Sequence, residues 1–148
     1  MIPQISQAPG VVQLVLNFLQ VLEQQGFTGD TATSYADRLT MATDNSVYQL
    51  LPDAILFPRS TADVALLARL AAEERFKSLI FTPRGGGTGT NGQALNAGII
   101  VDMSRYMNRI IEINPEEGWV RVEAGVIKDQ LNQFLKPYGY FFAPELST

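Results

Sequence analysis

The chain has 148 residues, with 11 basic and 15 acidic side chains, a net charge of −4 and a mean hydropathy of +0.04. That is the size and apolar content of one globular domain with a buried core, and the acidic excess leaves no basic stripe for nucleic acid. With neither cysteine nor histidine, its own residues form no disulfide, thiolate metal site, thiol nucleophile or Ser–His–Asp triad.

Residues 10–25 are expected to form an amphipathic helix. Val11, Leu14, Val15, Phe18 and Leu22 fall at helical spacing, and Gly26 is a stop. Gln13, Asn17 and Gln20 interrupt the stretch, which is too short to cross a bilayer. The opening Met-Ile-Pro-Gln lacks a basic segment and a cleavage site, so a cytoplasmic protein is expected. A short helix is expected within 31–45, closing on the turn residues Asp44-Asn-Ser46.

Ala54–Phe57 reads as a strand closed by Pro58. Ser60 is the expected cap of a helix reaching about Glu74, with Asp63 turned back toward the cap and Val64, Leu67, Ala68 and Ala71 as its apolar stripe. Leu79–Phe81 is a second strand and Ile99–Val101 a third. Strand, helix and strand with short links predict a parallel βαβ unit.

Ile110–Ile113 and Trp119–Val122 then flank a hairpin loop, with Val120 and Val122 on one face. A helix over 126–136 follows, carrying Ile127, Leu131, Phe134 and Leu135 on one side and ended by Pro137. The fold class expected is α+β: a small parallel subdomain followed by the start of an antiparallel one. The chain closes on Glu145-Leu-Ser-Thr148 directly after the apolar stretch Tyr140–Pro144, which reads as a cut end.

The segment richest in chemical meaning is Thr82-Pro-Arg-Gly-Gly-Gly-Thr-Gly-Thr-Asn-Gly-Gln93, with five glycines within 85–92. Bare glycines let consecutive amides face one concavity, a nest suited to phosphate oxygens. Thr88, Thr90 and Asn91 add short polar side chains, and Arg84 adds positive charge. A glycine cluster can equally be an idle surface loop. Here a buried strand feeds it, Pro83 stiffens its entry and another strand follows closely. Gly87–Gly92 matches the dinucleotide fingerprint by spacing, yet no helix fits between Gly92 and Gly98. No Gly-Lys-Ser/Thr follows, so a Walker loop fails as well.

Pro83-Arg-Gly-Gly-Gly-Thr-Gly89, then Ile100-Val-Asp102, then Val122-Glu-Ala-Gly-Val126, resemble the FAD-linked oxidases of the vanillyl-alcohol oxidase and p-cresol methylhydroxylase (PCMH) type. Leu51–Pro58 with Thr61–Val64 is similar to that family's opening βαβ, and Gly139–Pro144 with Ser147 to the segment leading to its next flavin contact. The likeness covers about residues 35–148. It is nearest to the D-2-hydroxy-acid dehydrogenases, and the N-terminal stretch with Tyr48-Gln-Leu-Leu-Pro52 resembles their large enterobacterial branch.

The resemblance implies a division into an N-terminal helical extension, 1–47, and the first part of a PCMH-type FAD-binding domain, 48–148. It implies FAD bound noncovalently, with the diphosphate on Gly85, Gly86, Gly87, Thr88 and Gly89. Arg84, Thr90, Asn91 and Gly92 would lie beside it. Gly125 and Val126 would approach the adenine side, and Pro144 and Ser147 the diphosphate or ribityl chain. It further implies oxidation of a D-2-hydroxy acid such as D-2-hydroxyglutarate or D-lactate, with hydride passing to the flavin N5. Base and substrate ligands would lie downstream, as would any iron–sulfur cluster, so these residues alone should be inactive and prone to self-association. Two other readings remain open: a non-enzymatic nucleotide-binding module, and an enolpyruvyl reductase on the same scaffold.

Overall fold

The computed structural model describes residues 10–144. Helix α1, Gln13–Gln24, buries Val15, Phe18 and Leu22 along one side. The next segment differs from the expected single helix. Asp30–Ala32 forms a strand, β1, and only Tyr35–Thr40 is helical, as α2. Three residues carry too weak a pattern to be legible alone. β1 exists because it pairs antiparallel with β2, Ala54–Phe57. Gly29 permits the approach, since a Cβ there would overlap the Phe57 carbonyl oxygen.

Helix α3, Thr61–Ala71, starts as expected. Ser60 Oγ accepts from the Asp63 amide at 3.2 Å, and the Asp63 carboxylate accepts from the Arg59 amide at 2.8 Å. The same carboxylate takes the Thr28 amide and hydroxyl, both at 2.8 Å, and so ties the lead-in to β1 onto α3. The buried side of α3 is Asp63, Leu67 and Leu70, whereas Ala68 is exposed. The helix stops at Ala71, and a 3-10 turn over Glu74–Phe76 plants Phe76 in the core.

Strand β3 is Phe81–Arg84, a little later than expected, and β4 is Ile99–Asp102. The sheet order is β1-β2-β4-β3, with β2, β4 and β3 mutually parallel. The strands joined by α3 are therefore parallel as expected but not adjacent, because β4 inserts between them. Pro83 is tolerated in β3 because this strand lies at the sheet edge. Phe18, Leu56, Leu70, Phe76, Ile99 and Val101 meet in the core between α1, α3 and the sheet. Phe18 stands edge-on to Phe76 with ring centroids 5.1 Å apart. Each such side chain contributes about 1.5–3 kcal/mol by leaving water.

The second, two-stranded sheet is the hairpin of β5, Ile110–Asn114, and β6, Trp119–Val122, with an irregularity between Ile110 and Glu112. Opposed residues Arg121 and Glu112 form a 2.7 Å ion pair across it. Helix α4, Lys128–Leu135, is shorter than expected and buries Leu131 and Leu135, while Ile127 and Phe134 stay exposed. Pro137 lies in a 3-10 turn over Lys136–Tyr138 that ends in left-handed Gly139. Among the described residues, no helix is long and apolar enough to cross a membrane.

Candidate functional site

Ligands of open parallel sheets collect beyond the carboxyl ends of the strands. β3 delivers Arg84 and the glycine run to that end. Residues 85–98 then return the chain to the start of the parallel neighbour β4 without a helix. Leu95 and Asn96 are buried on this return. Asn96 Nδ2 donates to Thr82 Oγ1 at 2.6 Å and to the Ile99 carbonyl at 3.2 Å, fastening it to the sheet.

The loop itself is built from main chain. Gly87 and Gly92 have φ of +66° and +75°, a region that disfavours any side chain. A Cβ on Gly87 would lie 2.5 Å from Arg84 Nη2, and one on Gly89 would lie 2.6 Å from Gln93 Oε1. A Cβ on Gly92 would press on the Tyr48 ring at 3.1 Å. Among the described residues, the amides of Gly85, Gly86, Gly87, Thr88, Gly89 and Thr90 donate to no protein acceptor. The Asn91 amide is taken by Gln93 Oε1 at 2.9 Å. Gly85 and Gly86 are exposed, and Gly87, Thr88 and Gly89 half-buried. A run of unpaired amides beside bare Cα positions is a nest for an anion.

A second segment that the sequence did not link to the loop lies against it. Arg84 Nη2 donates to the Thr43 carbonyl at 2.8 Å, and the Asn45 amide donates to the Gly87 carbonyl at 3.0 Å. Tyr48 covers Gly92. The only signal in the sequence was Asp44-Asn-Ser46, legible as a turn but not as a partner forty residues distant. The Asp44 carboxyl is held below its ordinary value, first by its side-chain hydrogen bond with Ser46 and further by the Ser46 and Ala94 amides and the Arg84 charge, against burial.

The remaining candidate residues scatter. Gly125 is buried, its amide bonded to the Met107 carbonyl at 2.8 Å, and a Cβ there would overlap the Met103 carbonyl. Close backbone packing therefore accounts for this glycine by itself. Val126 is half-buried beside it, its amide bonded to the Glu123 carbonyl. Pro144 is exposed at the end of a strand-free segment that Asn132 holds through the Phe142 amide at 2.7 Å. Ser147 lies outside the described residues. Asp102, at the end of β4, accepts from the Ser104 amide and hydroxyl and the Arg105 amide, shaping the turn beside the loop. No group of metal-ligating side chains occurs among the described residues.

A loop of free amides beyond the carboxyl ends of three parallel strands, followed by an antiparallel hairpin and helix, defines an α+β domain of the kind that can receive a phosphate group. The chain belongs to the FAD binding domain family, whose model matches residues 52–148, and its fold is the first part of the PCMH-type FAD-binding domain. It is 91% identical over 148 residues to a D-2-hydroxyglutarate dehydrogenase of Escherichia coli (strain K12), spanning all of this chain and 14% of that protein. A D-2-hydroxyglutarate dehydrogenase of Pantoea ananatis (strain AJ13355) is 78% identical, with the same coverage. The chain thus spans about one seventh of the length of these relatives. The solved alkyldihydroxyacetonephosphate synthase superposes with a TM-score of 0.73 at 21% identity, over 93% of this chain and 28% of that one. The family's cofactor is FAD, and the residues present fit its diphosphate. The Gly85–Thr90 amides are unpaired, and at Gly87 and Gly89 a side chain would fill the cradle.

Proposed function

We propose that residues 84–92 hold the diphosphate of FAD in a dehydrogenase that oxidises a D-2-hydroxy acid, D-2-hydroxyglutarate before D-lactate. The observation that carries the proposal is the row of unpaired amides from Gly85 to Thr90 at the end of β3. The names of the relatives above 75% identity support the substrate.

Bound FAD would supply the hydride acceptor, at N5. This chain's residues would do the holding. The amides of Gly85–Gly89 would face the phosphate oxygens. Thr88, Thr90, Asn91 and Gly92 would border them. Val126, with Gly125 setting its backbone position, would lie toward the adenine, and Pro144 and Ser147 toward the diphosphate or ribityl chain. With no histidine or cysteine, the chain offers no such tether, so its hold on FAD is noncovalent.

Residues 48–148 would carry these contacts while residues up to 47 complete the sheet through β1 and the core through α1. The protein would work in the cytoplasm. Taken alone, the 148 residues would turn over no hydroxy acid. They would tend to self-associate through the open edges of the β5–β6 hairpin.

The test uses the full-length protein. Anaerobic addition of D-2-hydroxyglutarate should bleach the visible flavin band, with D-lactate slower and the L-enantiomer inert. A purified protein without flavin, whose apo form binds ADP and FAD equally, would replace this reading with that of a plain nucleotide-binding module.

A further inference from the structure

The glycine loop is not self-supporting. Its shape depends on a side chain that passes beneath it and on a turn forty residues earlier. Arg84 leaves the last position of β3 and runs under Gly87, whose missing side chain gives the guanidinium its room: a Cβ there would meet Nη2 at 2.5 Å and Cζ at 2.9 Å. Nη2 then reaches the Thr43 carbonyl at 2.8 Å. The Asn45 amide closes the circuit on the Gly87 carbonyl at 3.0 Å. Between these two anchors lies Asp44. Its Oδ1 accepts from the Ser46 amide at 2.8 Å, which makes 44–46 a rigid turn. Two buried polar atoms in this region have no hydrogen-bond partner among the described residues, Asp44 Oδ2 and Arg84 Nη1. Both atoms are shielded from solvent, and what ties the two segments together is the Arg84–Thr43 and Asn45–Gly87 pair of hydrogen bonds.

We propose that Arg84 and the turn over 43–46 form a latch that sets the phosphate-binding shape of the loop, Arg84 acting as a positioning residue from below and Asp44 shaping the turn that receives it. The inference rests on the reading of the loop as a diphosphate site. It goes further in giving a function to 43–46, a segment outside the stretch matched by the family model, and in withdrawing the Arg84 side chain from the ligand face.

The latch makes a prediction opposite in sign to simple electrostatics. Asp44 is a negative charge near an anionic ligand, so removing that charge should tighten FAD binding if only charge mattered. If Asp44 shapes the turn that receives Arg84, Asp44→Ala, which removes the same charge together with the Oδ1 acceptor, should weaken it. Apoprotein prepared from the full-length protein is titrated with FAD, following quenching of flavin fluorescence. Asp44→Ala and Arg84→Met are each expected to raise Kd about tenfold, and the double variant to be no worse than the weaker single variant, because both break one unit. The apoprotein melting temperature checks that each variant is folded. Where Asp44→Ala does not fold, Asn45→Pro removes the amide that holds the Gly87 carbonyl and should raise Kd several-fold.

Tighter or unchanged binding in the folded Asp44 or Asn45 variant overturns the latch, as does full additivity in the double variant. Failure of the unmodified protein to bind FAD at all would instead overturn the diphosphate reading beneath it.

Discussion

Gly85→Ala separates a glycine needed by the fold from one needed by a ligand. Gly85 has an ordinary backbone φ, and a Cβ built on it meets nothing within 4 Å. The fold alone has no use for glycine there. Replacing it with alanine should leave the apoprotein as stable as before or stabilise it by about 0.4–1 kcal/mol, through lost freedom of the unfolded chain.

The ligand would feel the change differently. The new methyl group projects into open space next to an amide with no protein acceptor, where a bound phosphate oxygen would meet it. Keeping an anionic oxygen from one such donor forfeits a charged hydrogen bond worth about 1.5–3 kcal/mol, or about 10- to 150-fold in Kd. Thermal melting of the apoprotein and FAD titration of the same preparation give both numbers. A variant that melts no lower yet binds FAD as tightly as its parent would refute the diphosphate reading of this loop.

The opposite pattern is expected at Gly125. Its Cβ would overlap the Met103 carbonyl and approach the Ser104 Cα at 2.7 Å, both backbone atoms that do not rotate away. Gly125→Ala should therefore destabilise the protein by about 1–3 kcal/mol in urea unfolding. Acid should act through Asp63. Burial pushes its carboxyl up, but the Thr28 and Arg59 amides and the Thr28 and Ser60 hydroxyls outweigh burial and hold it below its ordinary value of 3.8. A group depressed in the folded state contributes stability above its unfolded pKa and loses it as pH falls toward the folded one. Urea unfolding between pH 6 and pH 2.5 should thus show a fall below about pH 4. Asp63→Asn should be weaker at neutral pH and flatter in this window.

The parts of this protein that declared themselves in the sequence are those whose physics is local. The stripe Val15, Phe18, Leu22 is spaced as a helix wherever it is placed. Ser60 and Asp63 form a cap from four consecutive residues. Asp102 bonds its own turn. The bareness of Gly85, Gly86, Gly87, Gly89 and Gly92 is a property of residue type, so a loop of open main chain after β3 was legible before any coordinates. Tertiary structure decided what depends on partners distant along the chain. β1 is a strand only because Phe57 and its neighbours pair with it, and that β4 rather than β3 lies beside β2 is settled by strand pairing between residues far apart in the chain. Gly125 is a glycine because two backbones meet there. Arg84 turned out to face Thr43 beneath the loop, since a guanidinium goes where a carbonyl and the space under Gly87 receive it, and neither is visible in the order of the residues.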